Sequence, residues 1–140
     1  MSTRSTIAIA NNDGKILSIY CHFDGYPEGV GQVLRHYYTE EDKIKSLINL
    51  GDISVLDEFV EPVGTQHSFD TPEVGVTIAY GRDRKEEGTT PKEYPTFRDW
   101  LAATQSKFSM IDYAYLWDGS EWQGWDCFSQ EAIDWSKVNV

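Results

Sequence analysis

A tight turn near the N-terminus is the feature that most restricts the fold of this chain. The pair Asp13-Gly14 lies between two segments in which apolar and polar residues alternate, residues 5–10 and 16–23. Asp-Gly is favoured in two-residue β-hairpin turns because both central positions need positive φ angles. In the second segment, four residues share the side that we expect to face the core: Leu17, Ile19, Cys21 and Phe23. The sequence therefore predicts an antiparallel hairpin at the start of the chain.

Three segments carry the apolar spacing of a helix. Residues 28–38 place apolar side chains every three or four positions, although glycines weaken the first turn. Thr39 is positioned as an N-cap before an amphipathic stripe that ends at Gly51. Thr96 is positioned as an N-cap with Asp99 three residues on, which is typical of a helix start.

Strand patterns reappear in the second half of the chain. Alternation predicts a third strand over residues 74–80, followed by a charged loop over 81–88. Residues 111–117 and 122–128 flank a turn and predict a second hairpin that is rich in aromatic residues. After that hairpin, Ser129 is placed to cap a last short helix.

Residues 52–72 have no clear period and predict a loop with one short strand near Phe59 and Val60. Hairpins separated by helical segments are typical of an antiparallel sheet covered by helices. The sequence therefore predicts an α+β fold. We expect a single domain over residues 1–140, with a mainly antiparallel sheet and helices packed on one face.

The charge of the chain is acidic and unevenly distributed. Lys and Arg number 12 against 23 Asp and Glu, a net charge of -11 that repels nucleic-acid phosphates, so no direct nucleic-acid binding is expected. The excess lies in residues 51–75, with six acids and no base, and in 109–140, with six acids and only Lys137. Side by side, these segments would form an acidic face for a basic partner or imitate a nucleic acid. The alternative is a solvated surface that keeps the protein soluble.

The sequence predicts no leader peptide, membrane span or metal site. The apolar stretch at the N-terminus ends at Asn11, and no run approaches the roughly 18 apolar residues of a membrane span. We expect a soluble, cytoplasmic protein. Cys21 and Cys127 are too far apart for a redox or zinc motif, and the histidines share no ligand spacing. Neither a metal nor a cofactor is therefore expected.

The densest polar cluster of the chain covers residues 20–26. Strand alternation places Tyr20 and His22 on the same side, with Asp24 at the end of the strand. A histidine and a carboxylate there could orient a ligand or share a proton. The alternative is that Asp24 is a turn residue bonded to its own backbone, and that His22 is half-buried. Cys21 and His22 are disfavoured as a nucleophilic pair, because adjacent strand residues point to opposite faces.

Three arginines are candidates for binding an anion. Arg4 lies among four hydroxyl residues, while Arg82 and Arg84 follow a predicted strand in a loop that could cover a ligand. Tyr26 and Tyr80 are the aromatic residues expected to stack on such a ligand. The alternatives are a frayed polar terminus at Arg4 and local neutralisation of Arg84 by neighbouring glutamates.

Four motifs carry a resemblance: the opening STRSTIAI, the run YCHFDGYPEGVG, and the later segments LINLGDIS and YGRD. With them the chain resembles a family of small uncharacterised bacteriophage proteins, closely over about the first 85 residues and loosely over the last hairpin, with Phe23 where that family usually has Trp. The resemblance implies a phage accessory protein that acts in the cytoplasm of the infected host, against its defences. It also offers six positions that match the family motifs: Arg4, His22, Asp24, Gly25, Tyr26 and Arg82.

Three functions are compatible with these patterns. The first is a non-enzymatic protein that holds a small anionic, nucleotide-like ligand through Arg4, Arg82 or Arg84. The second is an inhibitor that presents its acidic segments to a basic host protein. The third is a hydrolase with His22 and Asp24 as acid and base, which lacks an accompanying nucleophile. We expect binding rather than catalysis, and a homo-oligomer because the predicted sheet is rich in aromatic residues.

Overall fold

The structure is a computed structural model that describes residues 2–64, 66–106 and 108–138. Its strands, in chain order, are β1 (Ser5–Ala10), β2 (Ile16–Cys21), β3 (Ile53–Val55), β4 (Ile78–Ala79), β5 (Lys92–Tyr94), β6 (Tyr113–Trp117), β7 (Trp122–Asp126) and β8 (Glu131–Ala132). Its α-helices are α1 (Gln32–Tyr37), α2 (Glu41–Asn49), α3 (Tyr80–Arg84) and α4 (Phe97–Gln105). A π-helical turn at Pro27–Gly31 leads into α1, and a 3₁₀ turn covers Trp135–Lys137.

The strands form one mixed sheet with β1 near its centre. The order is β4-β3-β2-β1-β6-β7-β8, and β5 also pairs with β2. Both predicted hairpins are present: Ala10 pairs with Ile16 across the first turn, and Trp117 pairs with Trp122 across the second. Two pairs are parallel, β1 with β6 and β2 with β3, whereas the others are antiparallel. The predicted α+β class is confirmed.

One face of the sheet packs against α1 and α2. Ile7 and Ile9 of β1 and Ile19 of β2 join apolar residues of both helices in the larger of two cores. The α2 stripe is buried as predicted, through Ile44, Leu47 and Ile48. Burial of each such side chain contributes about 1.5–3 kcal/mol relative to exposure. The helix ends before Gly51, whose φ of 78° favours glycine.

The opposite face is covered by α4, which corrects the expectation that the helices pack on one face only. Ala8 of β1 and Ile16 of β2 form a second core with Trp100 of α4. The physical reason is that successive strand residues point to opposite faces, and β1 is apolar on both, so both faces need cover. The start of α4 is as predicted, since the Asp99 N–H donates to Thr96 Oγ1 at 3.1 Å.

The third predicted strand is much shorter than its alternating pattern suggests. Within residues 74–80 the chain forms the two-residue strand β4 and, at Val76, an isolated bridge with Phe59. The chain enters α3 at Tyr80 because the Asp83 carboxylate accepts the Ala79 N–H at 2.8 Å and satisfies a free donor at the helix start. Part of the predicted charged loop is therefore helical.

Residues 129–133 do not form the predicted last helix. Asp126 Oδ1 accepts the N–H groups of Phe128 and Ser129 at 3.0 and 3.3 Å, and Gln130 adopts a φ of 63°. This turn brings the chain back along β7, where β8 pairs with it. The strands β3 and β5, of three residues each, were not predicted because such short segments carry no period.

Candidate functional site

The second face of the sheet changes from apolar to polar along its strands. At one end, Trp100 of α4 covers Ala8 and Ile16. Toward the other end, the same face carries Thr6 of β1 and the two polar residues Ser18 and Tyr20 of β2. Two cavities open at this polar end, and α4 contributes residues from its C-terminal half to both.

The smaller cavity, called here the Lys92 cavity, has a volume of about 410 Å³. It is lined by Thr6, Ser18, Ile19, Tyr20, Asp52, Gly88, Thr90, Lys92, Tyr94, Ala103, Thr104, Ser109 and Ile111. The larger cavity, called the Arg4 cavity, has a volume of about 880 Å³ and shares Ile111 with the first. It is lined by Ser2, Arg4, Gln105, Ser106, Met110, Ile111, Asp112, Cys127, Phe128 and Gln130. Both volumes lie in the range of small-molecule sites.

A chain of hydrogen bonds closes the floor of the Lys92 cavity. Trp100 Nε1 donates to Ser18 Oγ at 3.1 Å, Ser18 and Thr6 hydroxyls lie 2.5 Å apart, and the Thr6 hydroxyl donates to the Ile19 carbonyl at 3.0 Å. Because the Thr6 hydroxyl donates its hydrogen bond to the Ile19 carbonyl, the Ser18 hydroxyl must be the donor in its hydrogen bond with Thr6 Oγ1. Every donor in the chain is therefore used, and these hydroxyls stabilise the fold with no proton left for a ligand.

Arg4 is held at the edge of the Arg4 cavity by its backbone. Its N–H donates to Asp112 Oδ2 at 2.9 Å, and its carbonyl accepts the N–H groups of Asp112 and Tyr113. Its side chain is different, because the buried Nε has no hydrogen-bond partner among the described residues. A buried donor without an acceptor is costly, so the Arg4 Nε is an unsatisfied polar group beside this cavity.

Tyr20 and His22 lie beside Arg4 on the same face. The Tyr20 hydroxyl and His22 Nδ1 are joined by a hydrogen bond of 2.6 Å. Burial raises the pKa of Tyr20, whereas the charge of Arg4 and a hydrogen bond with the Arg4 side chain act in the other direction. The phenol is therefore a neutral hydrogen-bonding group at neutral pH, and the Arg4 cation lies within its electrostatic reach.

Asp52 and Lys92 supply opposite charges to the Lys92 cavity. Asp52 Oδ1 accepts the Tyr20 N–H at 2.9 Å. Burial raises the pKa of Asp52, although this hydrogen bond and the charge of Lys92 act in the other direction. Lys92 lies opposite Ser18 in the β2–β5 pairing and is exposed at the cavity rim.

Asp24 and its neighbours form a structural joint between β2 and the π-helical turn. Asp24 is exposed with a φ of 58°, and its carbonyl accepts the Val30 N–H at 2.9 Å. The Gly25 N–H donates to the Thr3 carbonyl at 2.9 Å, and Tyr115 Oη donates to the Gly25 carbonyl at 2.7 Å. No hydrogen bond or ion pair joins Asp24 to His22 in the described part of the chain. The structure thus does not bring His22 and Asp24 together as an acid–base pair. Tyr26, another predicted ligand-binding residue, is exposed and lines neither cavity.

Arg82 is engaged in a buried network away from both cavities. Its guanidinium donates to Asp83 from Nε at 2.8 Å, to the Val60 carbonyl at 2.5 Å and to the Thr77 carbonyl at 2.7 Å. His67 Nε2 lies 3.0 Å from Asp83 Oδ2, and both of these side chains are 3% exposed. Burial by itself raises the pKa of Asp83, but the bonds from Arg82, the Ala79 N–H and His67 prevail and hold it below its ordinary value. Arg82 therefore fastens the loop before β4 to α3.

Arg84 and Tyr80 lie together on the other side of α3. The Arg84 guanidinium lies 4.3 Å from the Phe69 ring centre and 5.0 Å from that of Tyr80. It also forms an ion pair with Glu86 at 2.6 Å. Of the seven residues predicted to bind a ligand, Arg4 and His22 are linked through Tyr20. Arg84 contacts Tyr80, and these two residues and Arg82 lie outside both cavities.

Many carboxylates of the two acidic segments are hydrogen-bonded to the backbone. At least seven of the twelve carboxylates in residues 51–75 and 109–140 accept a backbone N–H: Asp52, Asp57, Glu73, Asp112, Asp118, Asp126 and Asp134. The sheet order also separates the segments, because β3 and β6 lie three strand positions apart. The strands of the two acidic segments are therefore not neighbours.

Several residues of the site were not predicted from the sequence. Asp52 and Lys92 belong to short segments beside β2, and Met110 and Phe128 belong to turns, so no period marks any of them. Tyr20 could have been chosen, because it shares the alternating face of His22. The partner of Arg4, by contrast, comes from 108 positions away along the chain.

Known proteins give no further guide to the site. A scan against protein-family models, a search of curated proteins and a search of solved structures each find no match. Among the described residues, no group of three or more His, Cys, Asp and Glu side chains could hold a metal ion. Within the same ranges, no helix has the length and apolar character needed to cross a membrane.

Proposed function

We propose that this protein binds a small anionic ligand, such as a phosphate ester, with Arg4 as the anchor. The observation that carries the proposal is the buried Arg4 Nε without a partner, at the edge of an 880 Å³ cavity. Arginine suits this role because its planar guanidinium donates two parallel bonds to phosphate or carboxylate oxygens. Tyr20 and Lys92 line the adjacent Lys92 cavity, which shares Ile111 with the Arg4 cavity.

Comparison with the other candidate arginines supports Arg4. Arg82 already donates to a carboxylate and two carbonyls, and Arg84 is paired with Glu86, so a ligand anion would have to displace protein partners at either. At Arg4, the nearby carboxylate of Asp112 already accepts the backbone N–H of the same residue. Among the described residues the Arg4 Nε has no acceptor, and the proposed ligand would supply one.

The proposed activity is binding without turnover. His22 Nδ1 is bonded to Tyr20, and the carboxylate that an acid–base pair would need, Asp24, lies in a turn outside both cavities. A sequestering role in the cytoplasm of a phage-infected host would agree with the resemblance in sequence motifs. That part of the proposal depends on the resemblance alone.

Calorimetric titration with inorganic phosphate and adenosine monophosphate tests the role of Arg4. We expect both probes to bind the wild type, and Arg4→Gln to weaken binding by at least about tenfold, a loss of 1.4 kcal/mol. Arg84→Gln is the matched control, because it removes the same charge from an exposed position outside both cavities. Unchanged affinity in Arg4→Gln would overturn the proposal.

Native mass spectrometry of protein purified from bacteria provides a second test that needs no chosen probe. We expect an added mass that is released on denaturation and is absent from Arg4→Gln. The same spectrum gives the number of subunits and so tests the predicted homo-oligomer. Clean apo-protein, together with no binding of either anion in the calorimeter, would contradict the proposed function.

A further inference from the structure

The Arg4 cavity has an apolar rim that anion binding alone does not explain. Phe128 is 98% exposed and Met110 is 65% exposed, and both line this cavity together with Ile111 and Cys127. A phenyl ring left almost completely in water gives up the free energy of burial. Adjacent exposed apolar side chains around a concavity are typical of a surface that is covered by a ligand.

The backbone holds these two side chains in unusual turns. Met110 has a φ of 64°, and Gln130, which follows Phe128 in its turn, has a φ of 63°. Left-handed conformations are disfavoured for residues with a Cβ and occur often at ligand sites. The turn at Phe128 is fixed by Asp126, whose Oδ1 accepts the Phe128 N–H at 3.0 Å. Both apolar groups are thus placed by defined turns and not by frayed ends.

We propose that the ligand joins its anionic group directly to an apolar group, which Met110 and Phe128 cover. This inference rests on the proposed anion site at Arg4. Arg4 and the apolar pair line one cavity, so a single small molecule can contact all three. The phenyl ring of Phe128 and the thioether of Met110 both pack well on aromatic rings, and they also accept aliphatic chains.

A small molecule fits this surface better than a protein partner. The volume of about 880 Å³ lies within the range of small-ligand cavities, and Arg4 and Asp112 both line it. A protein segment docked on the rim would meet the acidic residues Asp112 and Asp126 around Phe128. Its binding would therefore weaken as salt concentration rises, if basic residues carried the contact.

A series of phosphate esters tests the inference. Phenyl phosphate, hexyl phosphate and glycerol phosphate carry the same anionic group with an aromatic, an aliphatic and a polar substituent. We expect phenyl phosphate or hexyl phosphate to bind the wild type at least about tenfold more tightly than glycerol phosphate, and the preferred one identifies a ring or a chain. Calorimetric affinities at one fixed salt concentration give the comparison.

Substitutions of Phe128 and Met110 test whether these two residues cause the preference for apolar esters. In Phe128→Ser and in Met110→Asn, which also suits the left-handed backbone, the ratio of the preferred ester's affinity to that of glycerol phosphate should fall toward one. Val74→Ser is the matched control, since Val74 is 97% exposed and lines neither cavity. Equal affinity for all three esters in the wild type would overturn this inference and leave anion binding at Arg4 intact. Failure of every ester to bind would instead contradict the proposed function.

Discussion

Arg82 and Arg4 carry the same side chain in opposite circumstances. The Arg82 guanidinium finds acceptors on Asp83, Val60 and Thr77 and is part of the fold. The Arg4 guanidinium has a buried Nε without an acceptor among the described residues. A buried donor is stabilising when it is paired and costly when it is not, so Arg82 is explained by the fold, whereas Arg4 is not.

Replacement of Arg82 should destabilise the fold strongly. Arg82→Met leaves the Asp83 carboxylate and two carbonyls without their cation, and breaking a buried ion pair costs about 3 kcal/mol or more. Arg84→Met, which removes an exposed arginine from the same helix, should change stability by less than about 1 kcal/mol. Urea unfolding monitored by tryptophan fluorescence measures both. Equal stabilities of the two variants would show that the Arg82 network contributes little.

The glycines of the segment YCHFDGYPEGVG also have structural reasons. A Cβ built on Gly29 would lie too close to the Asp24 carbonyl oxygen, which is fixed by its bond from the Val30 N–H. A Cβ on Gly25 would lie 2.7 Å from the Ser5 Cβ. The motif is thus a close-packed joint, which explains Asp24 and Gly25 without assigning either to a ligand.

Gly29→Ala should therefore lower stability. The new methyl group must push backbone atoms apart, and such overpacking costs about 2 kcal/mol. Gly64→Ala is the matched control, because the atoms nearest to a methyl group added there lie at 3.7 Å, an ordinary contact. Differential scanning calorimetry should show a clear loss of melting temperature for Gly29→Ala alone. Similar melting temperatures for both variants would contradict this account of the joint.

At the scale of single elements, turns with carboxylate caps determine where strands begin and end. In the β6–β7 hairpin, Asp118 accepts the N–H groups of Ser120 and Glu121 at 2.9 Å and the side-chain amide of Gln123 at 2.6 Å. Slight burial acts to raise the pKa of Asp118, but these hydrogen bonds outweigh it and lower the pKa to about 2. The charged form of Asp118 therefore stabilises the turn.

This lowered pKa predicts an acid-sensitive hairpin. Because the native pKa lies below the ordinary value of 3.8, the stabilisation is complete above that value and disappears as pH falls toward 2. At pH 6, Asp118→Ala should lose about 1 kcal/mol or less, since solvent screens an exposed carboxylate. Urea midpoints of the variant and the wild type should converge by pH 2. A gap that stays constant over this range would disprove the linkage.

The element boundaries also show how far local patterns reach. The two hairpins, the α2 stripe and the Thr96 cap were predicted because each depends on residues within one short segment. The predicted strand at residues 74–80 and the helix after Ser129 were wrong where a carboxylate redirected the backbone. Asp83 starts α3 and Asp126 turns the chain toward β8. A side chain that accepts backbone N–H groups can end a strand or helix that the apolar spacing predicts. Whether it does so depends on local geometry, which the spacing of residue types does not contain.

At the scale of the whole molecule, the second face joins distant parts of the chain. Trp100 of α4 and Ser18 of β2, 82 positions apart, meet in a buried hydrogen bond that continues through Thr6. This chain of bonds marks the boundary between the apolar end of the face and its cavities. The position of α4, and with it the wall of the candidate site, depends on that contact.

A double-mutant cycle measures this contact. Ser18→Ala leaves the Trp100 N–H without an acceptor and should cost about 1–2 kcal/mol. In Trp100→Phe, which loses both the N–H and packing volume, adding Ser18→Ala should cost less, with a coupling of at least about 0.5 kcal/mol. Trp135→Phe with Ser18→Ala is the control and should be additive, because Trp135 donates to the Trp122 carbonyl instead. Additivity in both cycles would rule out the proposed link.

The sequence by itself determined the α+β class, both hairpins and the buried stripe of α2, because these follow from periodicity and turn chemistry within a few neighbouring residues. It also marked Arg4 as a candidate, but it gave equal weight to Arg82 and Arg84. Only the tertiary structure decided the parallel pairing of β1 with β6, the cover of the second face by α4 and the different surroundings of the arginines. The physical reason is that the surroundings of a charged side chain come from distant parts of the chain. The Arg82 guanidinium donates to the Val60 carbonyl, 22 positions away, whereas the Arg4 backbone is held by Asp112, 108 positions away, and the Arg4 Nε has no acceptor among the described residues.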